Sequence, residues 1–194
     1  LPLIIFGGQD ADHIEGGLAD DFIFGDHGRL YYEASQNTQS PNLLTIPNIS
    51  MGSGGPNDYS DGSRSPLRLA LSVNTPIGND NANERIFGKG GSDHIIGGMG
   101  SDEIHTTSQF SPASVIMGDS GQLVFEGGKL VTVEPLSSEL GGNDTIRSTA
   151  GINVVVGGFG DDEFNTENHL STDLVLGDDG ELTFTPDGNL VKVI

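Results

Sequence analysis

Gly7-Gly8-Gln9-Asp10-Ala11-Asp12-His13-Ile14-Glu15 and Gly16-Gly17-Leu18-Ala19-Asp20-Asp21-Phe22-Ile23-Phe24 are two nonapeptides set end to end. Each opens with a glycine pair, carries an acidic residue at the sixth place and has an apolar residue at the eighth. The pattern returns in Gly88-Lys89-Gly90-Gly91-Ser92-Asp93-His94-Ile95-Ile96, in Gly97-Gly98-Met99-Gly100-Ser101-Asp102-Glu103-Ile104-His105, and in Gly157-Gly158-Phe159-Gly160-Asp161-Asp162-Glu163-Phe164-Asn165. A glycine turn followed by a strand too short to stand alone is a half-coil of a solenoid, stable only when stacked on its neighbours.

Weaker half-coils keep the frame. Glu84, Ser114, Asn153 and Asp173 stand at sixth places, and Asn143-Asp144-Thr145-Ile146 supplies another turn and strand. The eighth places read Ile5, Ile14, Ile23, Ile86, Ile95, Ile104, Ile116, Ile146, Val155, Phe164 and Val175, none of them polar. This is the core of a two-sheet parallel coil, one side chain wide per strand. The ninth places split when strands alternate between the two sheets. Phe6, Phe24, Ile96, Met117, Val156 and Leu176 fall on one sheet; Glu15, Phe87, His105, Arg147 and Asn165 fall on the other. The first sheet is apolar on both faces, so hairpins or a neighbouring subunit must cover it. The alternation holds only if the short insertions at Thr106–Ser108 and Thr166–Glu167 leave it intact.

A larger unit recurs three times. Three apolar triplets run into Gly-Asp-x-Gly: Phe22-Ile23-Phe24 before Gly25-Asp26-His27-Gly28, Val115-Ile116-Met117 before Gly118-Asp119-Ser120-Gly121, and Leu174-Val175-Leu176 before Gly177-Asp178-Asp179-Gly180. After the second and third come β-hairpin patterns, Leu123–Val133 and Leu182–Val193, turning at Gly127-Gly128 and Asp187-Gly188. In the first copy Leu30-Tyr31-Tyr32 and Leu67–Val73 are the two hairpin strands, with a Ser, Asn, Gly and Pro-rich excursion over 35–66 between them. The expected division is 1–34 for the first copy, 35–66 for a flexible insertion, 67–134 for the second copy and 135–194 for the third, in one continuous solenoid. His13, His94 and Glu103 sit beside core residues at strand places that ordinarily face solvent. Asn48-Ile49-Ser50 matches a glycosylation sequon, a triplet common by chance.

Composition narrows the partners. Among 194 residues, 28 Asp and Glu oppose 8 Lys and Arg, a formal charge of −20. Such a chain repels nucleic acid and anionic membrane and attracts cations. There is no cysteine, hence no disulfide and no thiolate site, and no apolar run approaches the ~18 residues of a membrane span. The chain opens and stops in strand-like sequence, which reads as a segment of a longer protein.

Alternation sorts the turns to two edges. One collects Asp12, Asp26, Glu84, Asp102, Asp119, Asp144, Asp162 and Asp178; the other has Asp21, Asp93 and Asp173, interleaved with Ser114 and Asn153. Carboxylates stacked about one strand spacing apart (~4.8 Å) repel unless a cation lies between them. Calcium suits the gap, because it accepts six to eight oxygens in loose geometry and glycine turns offer carbonyls. Magnesium ranks second, and zinc is disfavoured by the lack of Cys and by isolated His.

The chain resembles the RTX, or haemolysin-type, calcium-binding repeat family, whose consensus is Gly-Gly-x-Gly-x-Asp-x-(apolar)-x. The resemblance implies an all-β, right-handed parallel β-roll with Ca2+ between successive turns, into which the hairpins and the long insertion, foreign to the usual repeat, are inserted here. The ligands it implies are turn carbonyls and Asp12, Asp21, Asp93, Asp102 and Asp162, with Asp144 and Asp173 matching less closely. Asp10 and Ala19 replace the fourth-place Gly and Lys89 a second-place Gly; Asp10 is a candidate extra ligand, whereas Ala19 and Lys89 should weaken their turns. The implied role is a calcium-rigidified spacer, scaffold or adhesin segment of a large secreted or cell-surface protein. Adjoining domains are expected as partners, with self-association through the sheet that needs a cover. The rival reading is a calcium-dependent accessory region of a secreted enzyme or toxin. HExxH, Gly-x-Ser-x-Gly and cysteine nucleophiles are all missing, so no catalysis is expected within the chain. A third reading gives the 35–66 excursion, with Tyr31, Tyr32 and Tyr59 in or near it, a glycan- or protein-binding role.

Overall fold

The computed structural model describes residues 2–32, 67–73, 82–107, 113–136, 141–149, 151–166 and 172–194. The 35–66 excursion, with Asn48 and Tyr59, lies outside the described residues. Those described form an all-β molecule of three stacked sheets with no helix among them.

Two sheets make the roll. The middle sheet contains β1 (Ile4–Phe6), β3 (Phe22–Phe24), β7 (His94–Gly98), β9 (Ser114–Asp119), β13 (Ile152–Val156) and β15 (Thr172–Leu176), side by side in that order and all parallel. The outer sheet contains β2 (His13–Glu15), β6 (Arg85–Lys89), β8 (Glu103–Thr106), β12 (Thr145–Ser148) and β14 (Glu163–Thr166), again parallel and in chain order. Successive roll strands alternate between the sheets, and β8 to β9 and β14 to β15 keep that alternation. Strands of three to six residues are too short to persist singly; each is held by parallel ladders on one or both sides.

Eighth-place residues form the ladder between the two sheets. Ile23, Ile95, Ile116 and Val155 of the middle sheet pack against Ile14, Ile86, Ile104 and Ile146 of the outer one, and all are buried. β-Branched side chains dominate because they suit a pleated surface and repeat in register from coil to coil. The free face of the outer sheet is polar: Arg85 donates to Glu103 at 2.7 Å, Lys89 to Glu15 at 2.7 Å, and Phe87 stacks on His105.

The third sheet is antiparallel and covers the middle one. Its strands are β4 (Gly28–Tyr32), β5 (Leu67–Ser72), β10 (Gly121–Glu126), β11 (Lys129–Pro135), β16 (Leu182–Phe184) and β17 (Leu190–Val193), adjacent in chain order. Leu30, Ala70, Leu123, Phe125, Val133 and Leu182 meet Phe22, Phe24, Ile96, Met117, Val154 and Val156 in a second core. The apolar ninth places, Phe6 apart, are therefore covered from within the chain. One expectation is corrected: His94 does not face solvent. It stacks on Phe22 at 4.5 Å between ring centres and packs against Phe125, because seventh places of the middle sheet also face the cover. Burial there pushes its imidazole down to about 4, so it is neutral at physiological pH.

Each departure from the roll happens at Gly-Asp-x-Gly, and its last glycine is required by space. A Cβ on Gly28 would lie about on the Phe24 ring, 2.5 Å from Cγ; on Gly121, 2.5 Å from Met117 Sδ; on Gly180, 2.7 Å from Leu176 Cδ1. The chain turns back over its own ninth-place side chain, and only glycine permits that approach.

Candidate metal centre

Turns joining the middle sheet to the outer sheet stack along one edge, and turns running the other way stack along the opposite edge. Sixth-place residues end each turn and organise both stacks. On the first edge the amide of Glu84 donates to Asp102 Oδ1 at 2.8 Å, that of Asp102 to Asp144 Oδ1 at 2.8 Å, and that of Asp144 to Asp162 Oδ1 at 2.9 Å. On the second edge Leu3 donates to Asp21, Asp21 to Asp93, Asp93 to Ser114 Oγ, and Asn153 to Asp173. One oxygen each of Asp21, Asp93, Asp102, Asp144, Asp162 and Asp173 is thus used to join coil to coil. Ser114 Oγ keeps the ladder without charge, whereas Asn153 Oδ1 accepts nothing and its Nδ2 donates to Asp173 Oδ1 and Ser148 Oγ.

The other oxygens are left over. Asp12 Oδ2, Asp93 Oδ2, Asp102 Oδ2, Asp144 Oδ2, Asp162 Oδ2 and both Glu84 oxygens are buried, and no N–H or O–H reaches them. Asp21 is an exception, since its Oδ2 accepts from Gly17 N at 2.6 Å. Leaving ionised oxygens buried and unpaired is costly, so the carboxyls shift toward the neutral form. Burial pushes Asp144 up to about 9 and Asp93 up to about 7, with neighbouring carboxylates adding to the rise. Glu84 and Asp102 face one another and both are raised, chiefly by burial; Asp162 is raised for the same reason.

The leftover aspartate oxygens look into spaces that glycine keeps open. A Cβ on Gly97 would run into both Asp102 Oδ2 and the Gly118 carbonyl oxygen; on Gly118, into Asp144 Oδ2 and near the Gly157 carbonyl; on Gly157, into Asp162 Oδ2 and the Gly177 carbonyl. On Gly7 it would meet Asp12 Oδ2 at 2.7 Å and the Gly25 carbonyl, and on Gly16, Gly88 O at 2.7 Å and Asp21 Oδ2 at 2.9 Å. Among the described residues no three Asp, Glu or His side chains gather round one point. An ion here would take one or two carboxylates and complete its shell with turn carbonyls and water. An all-oxygen donor set of that kind fits calcium.

The remaining acidic candidates divide. Asp26 and Asp119 lie on the first edge as expected, but their carboxylates turn to the next coil's amides: Asp26 Oδ2 accepts from Met99 N at 2.8 Å, and Asp119 accepts from Gly142 N and Phe159 N. Burial holds Asp119 up at about 7 despite those bonds. Asp178 is exposed at the end of the same edge, and Asp173 carries the second-edge ladder. Asp10 is exposed and holds the left-handed backbone (φ 65°) that Gly91, Gly100 and Gly160 hold at other fourth places. Lys89 is in the same region at a second place (φ 65°), a strained position for a long side chain. Ala19 avoids it: neither Gly17 nor Ala19 has positive φ, so that turn takes another path.

A second, outer ladder escaped the sequence reading. Ser101 N donates to Asn83 Oδ1, Asn143 N to Ser101 Oγ, Asp161 N to Asn143 Oδ1, and on the other edge Ser92 N to Asp20 Oδ1. The signal was the run of short acceptors at fifth places, hidden beside the more regular aspartates.

Fold and edges together define a parallel β-roll whose acidic turns offer unsatisfied oxygens to a hard cation. The model of the RTX calcium-binding nonapeptide repeat matches this chain in four copies, over residues 4–29, 78–109 and 140–168. Those segments match RTX repeats, and Ca2+ is the ion such repeats bind. No curated protein and no solved structure matches the chain.

Proposed function

We propose that this chain is a structural module of a secreted or cell-surface protein, rigidified by extracellular calcium and serving as spacer, scaffold or adhesive segment. The observation that carries the reading is the row of buried, partnerless sixth-place oxygens facing the carbonyls of neighbouring turns. Ca2+ would be held on the first edge by Asp12, Glu84, Asp102, Asp144 and Asp162, and on the second by Asp21, Asp93 and Asp173. Asp26 and Asp119, with Asp178 by analogy, act instead as built-in anions that bond the next turn's amides where a hairpin replaces the glycine loop. The larger unit, a run of stacked half-coils followed by one antiparallel hairpin, recurs three times in a right-handed coil. No helix of the described residues is long and apolar enough to cross a membrane.

The experiment is calcium titration by calorimetry with circular dichroism in parallel. Several sites and a gain of strand signal are expected, both lost on adding chelator. A chain equally folded with and without calcium, taking up no ion, would overturn the proposal.

A further inference from the structure

Along the second edge, the residue that follows each ninth place decides what fills the turn. Gly16 follows Glu15 and Gly88 follows Phe87, and five residues further on stand Asp21 and Asp93. A Cβ on Gly16 would lie 2.9 Å from Asp21 Oδ2, and one on Gly88 2.5 Å from Asp93 Oδ2, so each glycine leaves its carboxylate a gap to face. Further along the same edge both members of the pair change together. Ser148 follows Arg147, and five residues further on stands Asn153. Thr106 follows His105, ahead of Ser114. In the outer sheet Thr106 pairs with Ser148 on one side and, through a bulge, with Lys89 on the other. A hydroxyl side chain thus takes the glycine's place where the acid gives way to a neutral residue.

The hydroxyl fills what the glycine leaves open. Ser148, Asn153, Thr106 and Ser114 are all buried. Asn153 Nδ2 donates to Ser148 Oγ at 2.8 Å and to Asp173 Oδ1 at 2.7 Å, and the Asn153 amide donates to the same Asp173 oxygen at 3.1 Å. Side chains of the protein therefore close this turn from both sides. Thr106 Oγ1 and Asn153 Oδ1 are buried without a partner, but neither carries charge, so their burial costs far less than that of an ionised carboxylate. The coil is well supported besides: β13 pairs with β9 and β15, and its Val154 and Val156 lie in the core beneath the cover sheet.

We infer that Ser148 and Asn153 form a metal-free plug in place of a calcium ion, so that the β12–β13 coil keeps its fold without the ion and serves as the nucleus on which calcium-dependent coils assemble. The second edge is then divided. Gly16–Asp21 and Gly88–Asp93 await a cation, whereas Thr106–Ser114 and Ser148–Asn153 are already filled, with Asp173 lending one oxygen to the plug. In a solenoid each coil is stabilised by its neighbours, so one coil that folds without ions lowers the cost of ordering the next. The inference rests on the calcium reading above for the glycine–aspartate turns, but the plug itself rests on hydrogen bonds within the protein.

Hydrogen exchange of the full chain in chelator, with calcium calorimetry of variants, tests it. In chelator the amides of β13 should exchange ~10-fold more slowly than those of β7, which follows Asp93 in the same sheet, and calcium should slow β7 far more than β13. Ser148→Gly with Asn153→Asp rebuilds the glycine–carboxylate pair; it should take up one calcium more than the wild type and melt lower in chelator. Ser148→Ala removes an acceptor from Asn153 Nδ2, and should lower the melting point equally with and without calcium and leave the ion count unchanged. The reverse exchange, Gly88→Ser with Asp93→Asn, should take up one ion fewer, and it replaces the first variant if circular dichroism shows that one unfolded. A rebuilt pair that gains no ion, a Ser148→Ala chain that loses one, or β13 exchanging as fast as β7 in chelator would overturn the inference. A wild-type chain that takes up no calcium would overturn the functional reading instead, and exchange in chelator alone then decides for or against the plug.

Discussion

At the scale of the residue, the sixth-place aspartate divides its work between two oxygens, and substitutions separate them. Asp144→Asn keeps the acceptor that Asp102 N uses and removes the charge that burial disfavours. The metal-free chain should keep its stability or gain a little, while the gain on adding calcium should shrink by ~1.4 kcal/mol, one site of Kd ~0.1 mM at ~1 mM ion. Asp144→Ala removes the ladder acceptor as well and should cost ~1–3 kcal/mol with or without calcium, because a buried amide loses its partner. Urea unfolding of both variants, with and without calcium, checks the contrast. Gly28→Ala should cost ~1–3 kcal/mol by overpacking, since its Cβ would strike the rigid Phe24 ring; Gly121→Ala should cost less, because the flexible end of Met117 can move aside. A thermal melt of each decides the order.

At the scale of the element, the acidic edges set how stability follows pH. Asp93, Asp119 and Asp144 have folded-state values near 7 to 9, well above the ~4 of an unfolded carboxyl. For an acid so raised, the metal-free fold is favoured while the group is protonated and loses that advantage as pH climbs from about 4 through the folded value. The metal-free chain should therefore melt higher at pH 5 than at pH 8. Calcium reverses the trend, because it needs the ionised form; its affinity should rise over the same window and protons should be released on binding. Melting curves in chelator at two pH values, and calorimetry in buffers of different ionisation enthalpy, read both effects. A metal-free melting point that climbs from pH 5 to pH 8 would contradict the assignment. The cover sheet is a second element with its own consequence. Phe125→Ala should cost ~3–5 kcal/mol, since the buried ring packs against both Phe22 and His94 and its loss leaves a cavity beneath the cover sheet.

At the scale of the whole molecule, a net charge of −20, with many of its carboxylates stacked on two edges, opposes compaction until cations neutralise it. Five sites contributing ~1.4 kcal/mol each amount to ~7 kcal/mol, comparable to the ~5–15 kcal/mol that holds a typical domain together. The chain should be loosely folded at sub-micromolar calcium and rigid at millimolar calcium. Far-ultraviolet circular dichroism across a calcium titration should show strand signal rising with ion; a spectrum unchanged in chelator would count against it. The same scale separates this roll from a bare two-sheet solenoid, because the cover sheet turns one face into a second interior.

Much of this was legible in the chain itself. A nine-residue period with glycine at its start and Ile, Val or Phe at its eighth place determines a stacked parallel coil, since no other arrangement buries every eighth residue and puts every sixth in a turn. The ninth places even announced which sheet needed a cover. Tertiary structure alone decided what lies over it, because a hairpin pattern carries no record of the surface it will pack on. It also decided that His94 packs under the cover sheet, that Asp26 and Asp119 bond the amides of the next coil, and that fifth-place Ser, Asn and Asp form an outer ladder. A side chain's partner is set by which coil lies above it, and that distance in space is not written in the distance along the chain.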